Sequence, residues 1–204
     1  IFVASNIIDA HLIGSKSYIA PLYIKLDDLT GDVFDNFDQD SLYQLTQNLS
    51  NKPTSKEVFE YCYGVLYSET YRNLYNEFLK QDAPKIPIPN DQEYFDKYVT
   101  AGNRLIELHL VKTNVQKELG LNTTESQNLL IEQVKFIDGK VLINKDTSIY
   151  GIPETVWNYY IGGYQVIDKW LKLHKNESLD YEKFNHLKKI VGIIEETIKI
   201  QNEL

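Results

Sequence analysis

Leu129-Leu130-Ile131-Glu132-Gln133-Val134-Lys135-Phe136-Ile137-Asp138-Gly139-Lys140-Val141-Leu142-Ile143-Asn144 is the stretch that sets the fold class. Two runs rich in apolar and β-branched residues flank a two-residue joint. Asp-Gly accepts the positive φ angles of a tight primed turn, so Leu129–Ile137 and Lys140–Asn144 read as the arms of a β-hairpin. Thr147–Ile152 follows closely enough to add a third strand.

Helical patterns surround this hairpin. Thr54-Ser55-Lys56-Glu57 has the spacing of a capping box, and Val58, Phe59, Cys62, Val65 and Leu66 then recur every three or four residues. Ser68 can cap a second helix carrying Tyr71, Leu74, Tyr75 and Phe78 on one face. Pro84 ends it, and Lys85-Ile86-Pro87-Ile88-Pro89 is extended, because a residue before proline is pushed out of the α region. A third helix follows Asn90 and runs through Phe95, Tyr98, Val99, Gly102, Leu105 and Ile106 toward His109. Thr113–Ser126 shows no period.

Beyond the hairpin, Pro153 opens a helical segment with Val156, Trp157, Tyr160 and Ile161. Gly162-Gly163 interrupts it, and Val166, Ile167, Trp170 and Leu171 resume the apolar stripe. Asp180 caps a last helix with Phe184, Leu187, Ile190, Val191, Ile194 and Ile198 inward. At the other end, Phe2–Ser5 and Tyr18–Leu26 read as strands separated by Gly14, Ser15 and Ser17, and Asp27–Phe37 as an acidic loop. Asp38 or Asp40 caps a short helix through Leu49. Strands and helices mix without regular alternation, so the expected class is α+β: short strands and a hairpin, several packed helices and a helical C-terminus, with 153–204 as a helical sub-domain.

The 204 residues suffice for a real core, and 43% hydrophobic with 25% charged residues is ordinary for a globular chain. No apolar run reaches membrane-spanning length, and no basic-flanked leader opens the chain, so the cytoplasm is the expected compartment. The chain starts mid-pattern and contains no Met, which reads as a fragment of something longer. The single cysteine, Cys62, excludes an internal disulfide and reads as a buried, inert thiol. A net charge of −8 counts against nucleic-acid binding as an average. A basic stripe can nonetheless sit on an acidic body, and Lys169–Lys175 and Lys183–Lys189 are locally basic.

Catalytic signatures are missing. No phosphate-binding glycine loop, no Gly-x-Ser-x-Gly elbow and no short-spaced His or Cys pair is present, so no catalytic residue, metal ligand or cofactor is assigned. Asp138-Gly139-Lys140 has the letters of a metal-dependent nuclease, but its turn role explains them better. His109, between Leu108 and Leu110, reads as a structural, hydrogen-bonded histidine. Tyr61, Tyr63, Tyr67, Tyr71 and Tyr75 follow helical spacing, which favours packing over base stacking.

Particular strings then carry a resemblance. Phe59-Glu60-Tyr61-Cys62-Tyr63-Gly64-Val65-Leu66-Tyr67-Ser68, Tyr71-Arg72, Pro84-Lys85-Ile86-Pro87, Leu108-His109-Leu110, Gly151-Ile152-Pro153-Glu154 and above all Ile161-Gly162-Gly163-Tyr164-Gln165-Val166-Ile167 with Lys169-Trp170-Leu171 resemble the C-terminal specificity domain of type ISP restriction–modification enzymes. The resemblance spans nearly the whole chain, so 1–204 is expected to form one DNA target-recognition domain. It implies a sequence-specific DNA reader placed after an adenine-N6 methyltransferase and a nuclease, with S-adenosylmethionine, and ATP with Mg²⁺ in a complete enzyme, used by the parent rather than by this segment. The implied partners are double-stranded DNA and the methyltransferase domain. The alternative is a scaffold that packs its tyrosine-rich helix on the methyltransferase and reads little DNA.

Basic residues within or beside these strings are the expected phosphate contacts: Arg72, Lys85, Arg104, Lys169, Lys172 and Lys175. Asn158, Tyr164 and Gln165 flank the Gly-Gly break and are the expected polar tips for base readout, with Trp157 and Trp170 beneath them. Two readings of Gly162-Gly163 stay open: close approach to DNA, or close packing between helices.

Overall fold

The computed structural model describes residues 2–6, 19–25, 31–124 and 128–204. The chain divides into one unit of residues 1–110 with 200–204 and a second of residues 111–199.

In the first unit, Tyr23–Lys25 (β1) and Val33–Asp35 (β2) pair antiparallel, with Ile24 opposite Phe34. The acidic segment therefore contains a strand: Val33 and Phe34 supply β propensity that their charged neighbours mask. Phe2–Ala4, expected in a strand, is irregular. Gly14, Ser15, Ser17, Tyr18 and Leu26 lie outside the described residues.

Gln39–Thr46 (α1) is capped by Asp38, whose Oδ2 accepts from Ser41 N at 2.9 Å. Ser55–Tyr67 (α2) opens on the expected capping box: Glu57 N donates to the Thr54 hydroxyl, and Thr54 N donates back to Glu57 Oε2 at 2.7 Å. Gln92–His109 (α5) starts one residue later than expected, because Asp91 and not Asn90 accepts from Tyr94 N. α2 and α5 meet through glycines. A Cβ on Gly102 would fall on the Glu60 carbonyl, and one on Gly64 would strike the Tyr98 carbonyl.

Between these helices, Ser68 caps Glu69–Leu74 (α3) as expected. The expected single face does not form, however. The helix stops at Tyr75 (φ −109°, ψ 16°) and a separate turn, Asn76–Leu79 (α4), follows. The break loses the helical phase, so Tyr71 is buried while Leu74 and Phe78 are 70% and 71% exposed. Tyr61 and Tyr71 reach the extended segment at 85–89, donating from their hydroxyls to Pro87 O and Lys85 O, each at 2.8 Å. Those bonds are why tyrosine rather than phenylalanine suits these buried positions.

The second unit is built on a four-stranded antiparallel sheet of order β3-β6-β5-β4. Lys135–Ile137 (β4) and Lys140–Leu142 (β5) form the expected hairpin with shorter arms than expected, since 129–134 and 143–144 lie outside the strands; Asp138 and Gly139 have φ 50° and 74° as a primed turn requires. Thr147–Tyr150 (β6) adds the expected third strand, and its other edge holds Gly120–Thr123 (β3), within the segment where no period was seen. Tyr181–Glu203 (α8) begins after Asp180, which accepts from Lys183 N, and lays Leu187, Val191 and Ile194 into the core. That core joins Val141, Ile143 and Ile149 of the sheet region to Trp157, Ile167 and Leu171. Among the described residues, no helix is long and apolar enough to cross a membrane.

Candidate functional site

The segment after Ile152 departs most from expectation. Glu154–Trp157 (α6) is a single turn. Tyr160–Ile161 (β7) and Tyr164–Gln165 (β8) then pair antiparallel around Gly162-Gly163, and Val166–Leu173 (α7) follows directly. The glycines are a hairpin tip and not a helix interruption. Both have positive φ, 57° and 84°, as a two-residue primed turn demands, and a Cβ on either would meet nothing within 4 Å. That open space excludes close helix packing as their reason.

The hairpin is tied to the core through its base. Trp157 is buried and stacked on Phe136 at 5.1 Å, and its carbonyl accepts from Gln165 Nε2 at 2.6 Å. Val166 N donates to Tyr159 O at 3.2 Å. Trp170 stacks on His186 at 5.6 Å, and the His174 ring hydrogen-bonds the Trp170 carbonyl through Nδ1 at 2.9 Å. An apolar platform thus fixes the root, while Tyr160 and Tyr164 stay 55% and 58% exposed.

Hairpin and α7 together shape an open groove of about 460 Å³, lined by Tyr160, Tyr164, Gln165, Asp168, Lys169 and Lys172, with Gly163 and Leu173 at its edge. The Lys169 ammonium lies 3.3 Å from the Tyr164 ring centroid, a close cation–π contact. Lys172 pairs with Asp168 at 2.7 Å across one turn of helix. Aromatic faces, two ammonium groups, one carboxylate and one amide therefore share a single solvent-open surface. Lys175 is exposed in the turn after α7, and exposed Asn158 ends α6.

Of the expected contact residues, Tyr164, Gln165, Lys169 and Lys172 line this groove. The three in the first unit do not form a comparable cluster. Arg104 is held by Glu203 in a depression of about 420 Å³ that also exposes Glu93 and Asp96. Arg72 lies 6.0 Å from the Tyr67 ring, and Lys85 is exposed beside the Tyr71 tie. Asp168 was not anticipated, and Tyr160, though it flanks the Gly-Gly break, was not among the expected contacts. The signal for Tyr160 was the two-residue Gly-Gly loop between Tyr-Ile and Tyr-Gln, which is a hairpin pattern.

Elsewhere, burial pushes the Cys62 thiol up to about 11, which keeps it protonated at neutral pH. Burial also lowers His109 to about 4, and its Nδ1 hydrogen-bonds the Tyr63 hydroxyl at 2.8 Å. Among the described residues, no group of three or more His, Cys, Asp or Glu side chains is placed to hold a metal.

The model of a family described as the Type ISP C-terminal specificity domain matches residues 1–203. No curated protein matches. Similar solved structures include the DrdV–DNA complex (20% identity, TM-score 0.75), which covers 90% of this chain and 21% of that one. They also include the ATP-dependent type ISP restriction–modification enzyme LlaBIII bound to DNA (21% identity, TM-score 0.65), covering 89% of this chain and 13% of that one. A nuclease-deletion mutant of the type ISP enzyme LlaGI in complex with a DNA substrate mimic matches at 24% identity and TM-score 0.58, covering 76% of this chain and 14% of that one. At these identities the likeness shows a shared fold, and the chain spans between 13% and 21% of those polypeptides.

Proposed function

This chain belongs to the type ISP C-terminal specificity domain family, and we propose that residues 1–204 act as the module that reads a DNA sequence for a longer restriction–modification enzyme. In this reading the parent polypeptide, working in the cytoplasm, places a methyltransferase acting on adenine N6 and a nuclease ahead of the module. S-adenosylmethionine, and ATP with Mg²⁺, serve those parts. The chain itself supplies no catalysis; it binds duplex DNA and docks on the methyltransferase domain.

The observation that carries the proposal is the groove beside the β7–β8 hairpin, within the 153–204 segment. DNA readers need cations for phosphates and rigidly supported polar or aromatic tips for bases. Here Lys169 and Lys172 stand beside Tyr164 and Gln165 on a root anchored by Trp157. A net charge of −8 is compatible with this, because the cations are local. The scaffold reading relied on the tyrosine-rich helix, yet Tyr61, Tyr63 and Tyr67 of α2 are buried within their own unit.

Binding of duplex DNA by the chain, measured against salt, tests the proposal. Lys169→Gln should weaken binding similarly for all sequences and flatten the log–log salt dependence by about one counterion. Lys175 and Asn158, at the margin of the same segment, should contribute less. Binding that ignores Lys169, Lys172 and salt alike would reject this surface.

A further inference from the structure

The groove holds a carboxylate where a phosphate-binding surface would be better without one. Asp168 lies between Lys169 and Lys172 in sequence, lines the same groove, and keeps about a fifth of its side chain exposed. A second acceptor stands beside it. A backbone carbonyl can only accept, so the bond to Trp157 O engages one N–H of the Gln165 amide and fixes the amide's orientation. Gln165 keeps Oε1 as an acceptor, with one further N–H beside it. Gln165 is the N-cap residue of α7 and Asp168 lies three residues on, so the two share one side of the helix start.

We infer that Asp168, together with Gln165 Oε1, reads the exocyclic amino group of a base. The inference rests on the DNA-reading function proposed above and names the chemistry of its contact. On the major-groove edge, cytosine N4 and adenine N6 offer N–H donors, whereas guanine and thymine present oxygen acceptors at the corresponding positions. Two fixed acceptors attract the first pair and repel the second. The pair with Lys172 at 2.7 Å holds the carboxylate in place, and Lys172, 60% exposed, remains able to meet a backbone phosphate.

Asp168 also has a structural role, since an acid in the first turn paired four residues on with a lysine supports the helix. The test therefore reads base preference and not stability. A random duplex library is selected with the intact 204-residue chain, with Asp168→Asn and with Asp168→Glu. The parent chain and Asp168→Glu should enrich adenine or cytosine at one position, and the base enriched identifies which amino group is read. Asp168→Asn replaces an acceptor by a donor, and should lose at least about tenfold of that discrimination, admitting guanine or thymine there while other positions hold. With the parent chain, purine in place of that adenine, or 2-pyrimidinone in place of that cytosine, should cost a similar factor. Should Asp168→Asn fail to fold, this base-analogue measurement stands in its place. Uniformly tighter binding of Asp168→Asn to every sequence, or indifference to removal of every amino group in the selected site, would overturn the inference alone. Absence of any enrichment by the parent chain would overturn the DNA-reading function itself.

Discussion

Gly64 and Gly102 stand where two helices touch; Gly162 and Gly163 stand where an added Cβ would touch nothing. At the first pair a Cβ would collide with carbonyls of the facing helix, and no positive φ is involved. At the second pair both φ angles are positive and the space is empty. The same residue type thus serves close approach in one region and backbone conformation in the other. Two adjacent glycines in sequence do not say which, whereas two distant ones, on α2 and α5, make the helix contact. The packed region resists any added atom, while the tip resists only a change of dihedral angle.

Substitutions can break this contrast. The largest effect is expected for Gly102→Ala. Alanine favours a helix over glycine by about 1 kcal/mol, but the new methyl must push two backbones apart. A net loss above about 3 kcal/mol in chemical denaturation is expected, and a gain in stability would mean that the helices separate freely.

Acid sharpens the contrast next, since His109 closes the same packed helix. Its folded value of about 4 lies below the ordinary 6.5 because burial disfavours the charged ring. The unfolded chain therefore takes up the proton first, and stability falls as pH drops from about 6.5 toward 4, by about 3 kcal/mol at the limit. His109→Gln should remove most of that slope in denaturation curves recorded across the range, and an unchanged slope would place it on other groups.

At the hairpin tip the effects are smaller. Gly163→Ala, at φ 84°, should cost about 1–2 kcal/mol of local stability, read as faster amide exchange in β7 and β8. Gly162→Asn, at φ 57°, should cost only a few tenths, because asparagine adopts that conformation at the first position of a primed turn. Equal penalties for both would mean that something does crowd the tip.

Features written in local chemistry were legible in the sequence. The Thr54–Glu57 box, the Ser68 and Asp180 caps and the Asp138-Gly139 turn all depend on residues within a few positions of one another. The slip from Asn90 to Asp91 arose because both residue types cap well, and only geometry selects one. Strand β3 was invisible because Gly120-Leu121-Asn122-Thr123 has little pattern of its own and is a strand only through β6. Leu74 and Phe78 kept helical spacing with Tyr71, but a break at Tyr75 cannot be seen from periodicity. In the groove, Tyr164, Gln165, Lys169 and Lys172 were legible as neighbours in sequence. That the Gln165 amide is oriented by Trp157 O, and that Asp168 shares its surface, depended on the hairpin folding back to Trp157.

An isolated tip has one more consequence, for how such a module changes over generations. Because a Cβ added at either glycine of the β7–β8 turn would meet nothing within 4 Å while the root is bonded to Trp157, residues can be added or exchanged there without repacking the interior. Lengthening the loop alters its reach and leaves the anchor alone. The fold thereby separates the part that inherits stability from the part that can drift.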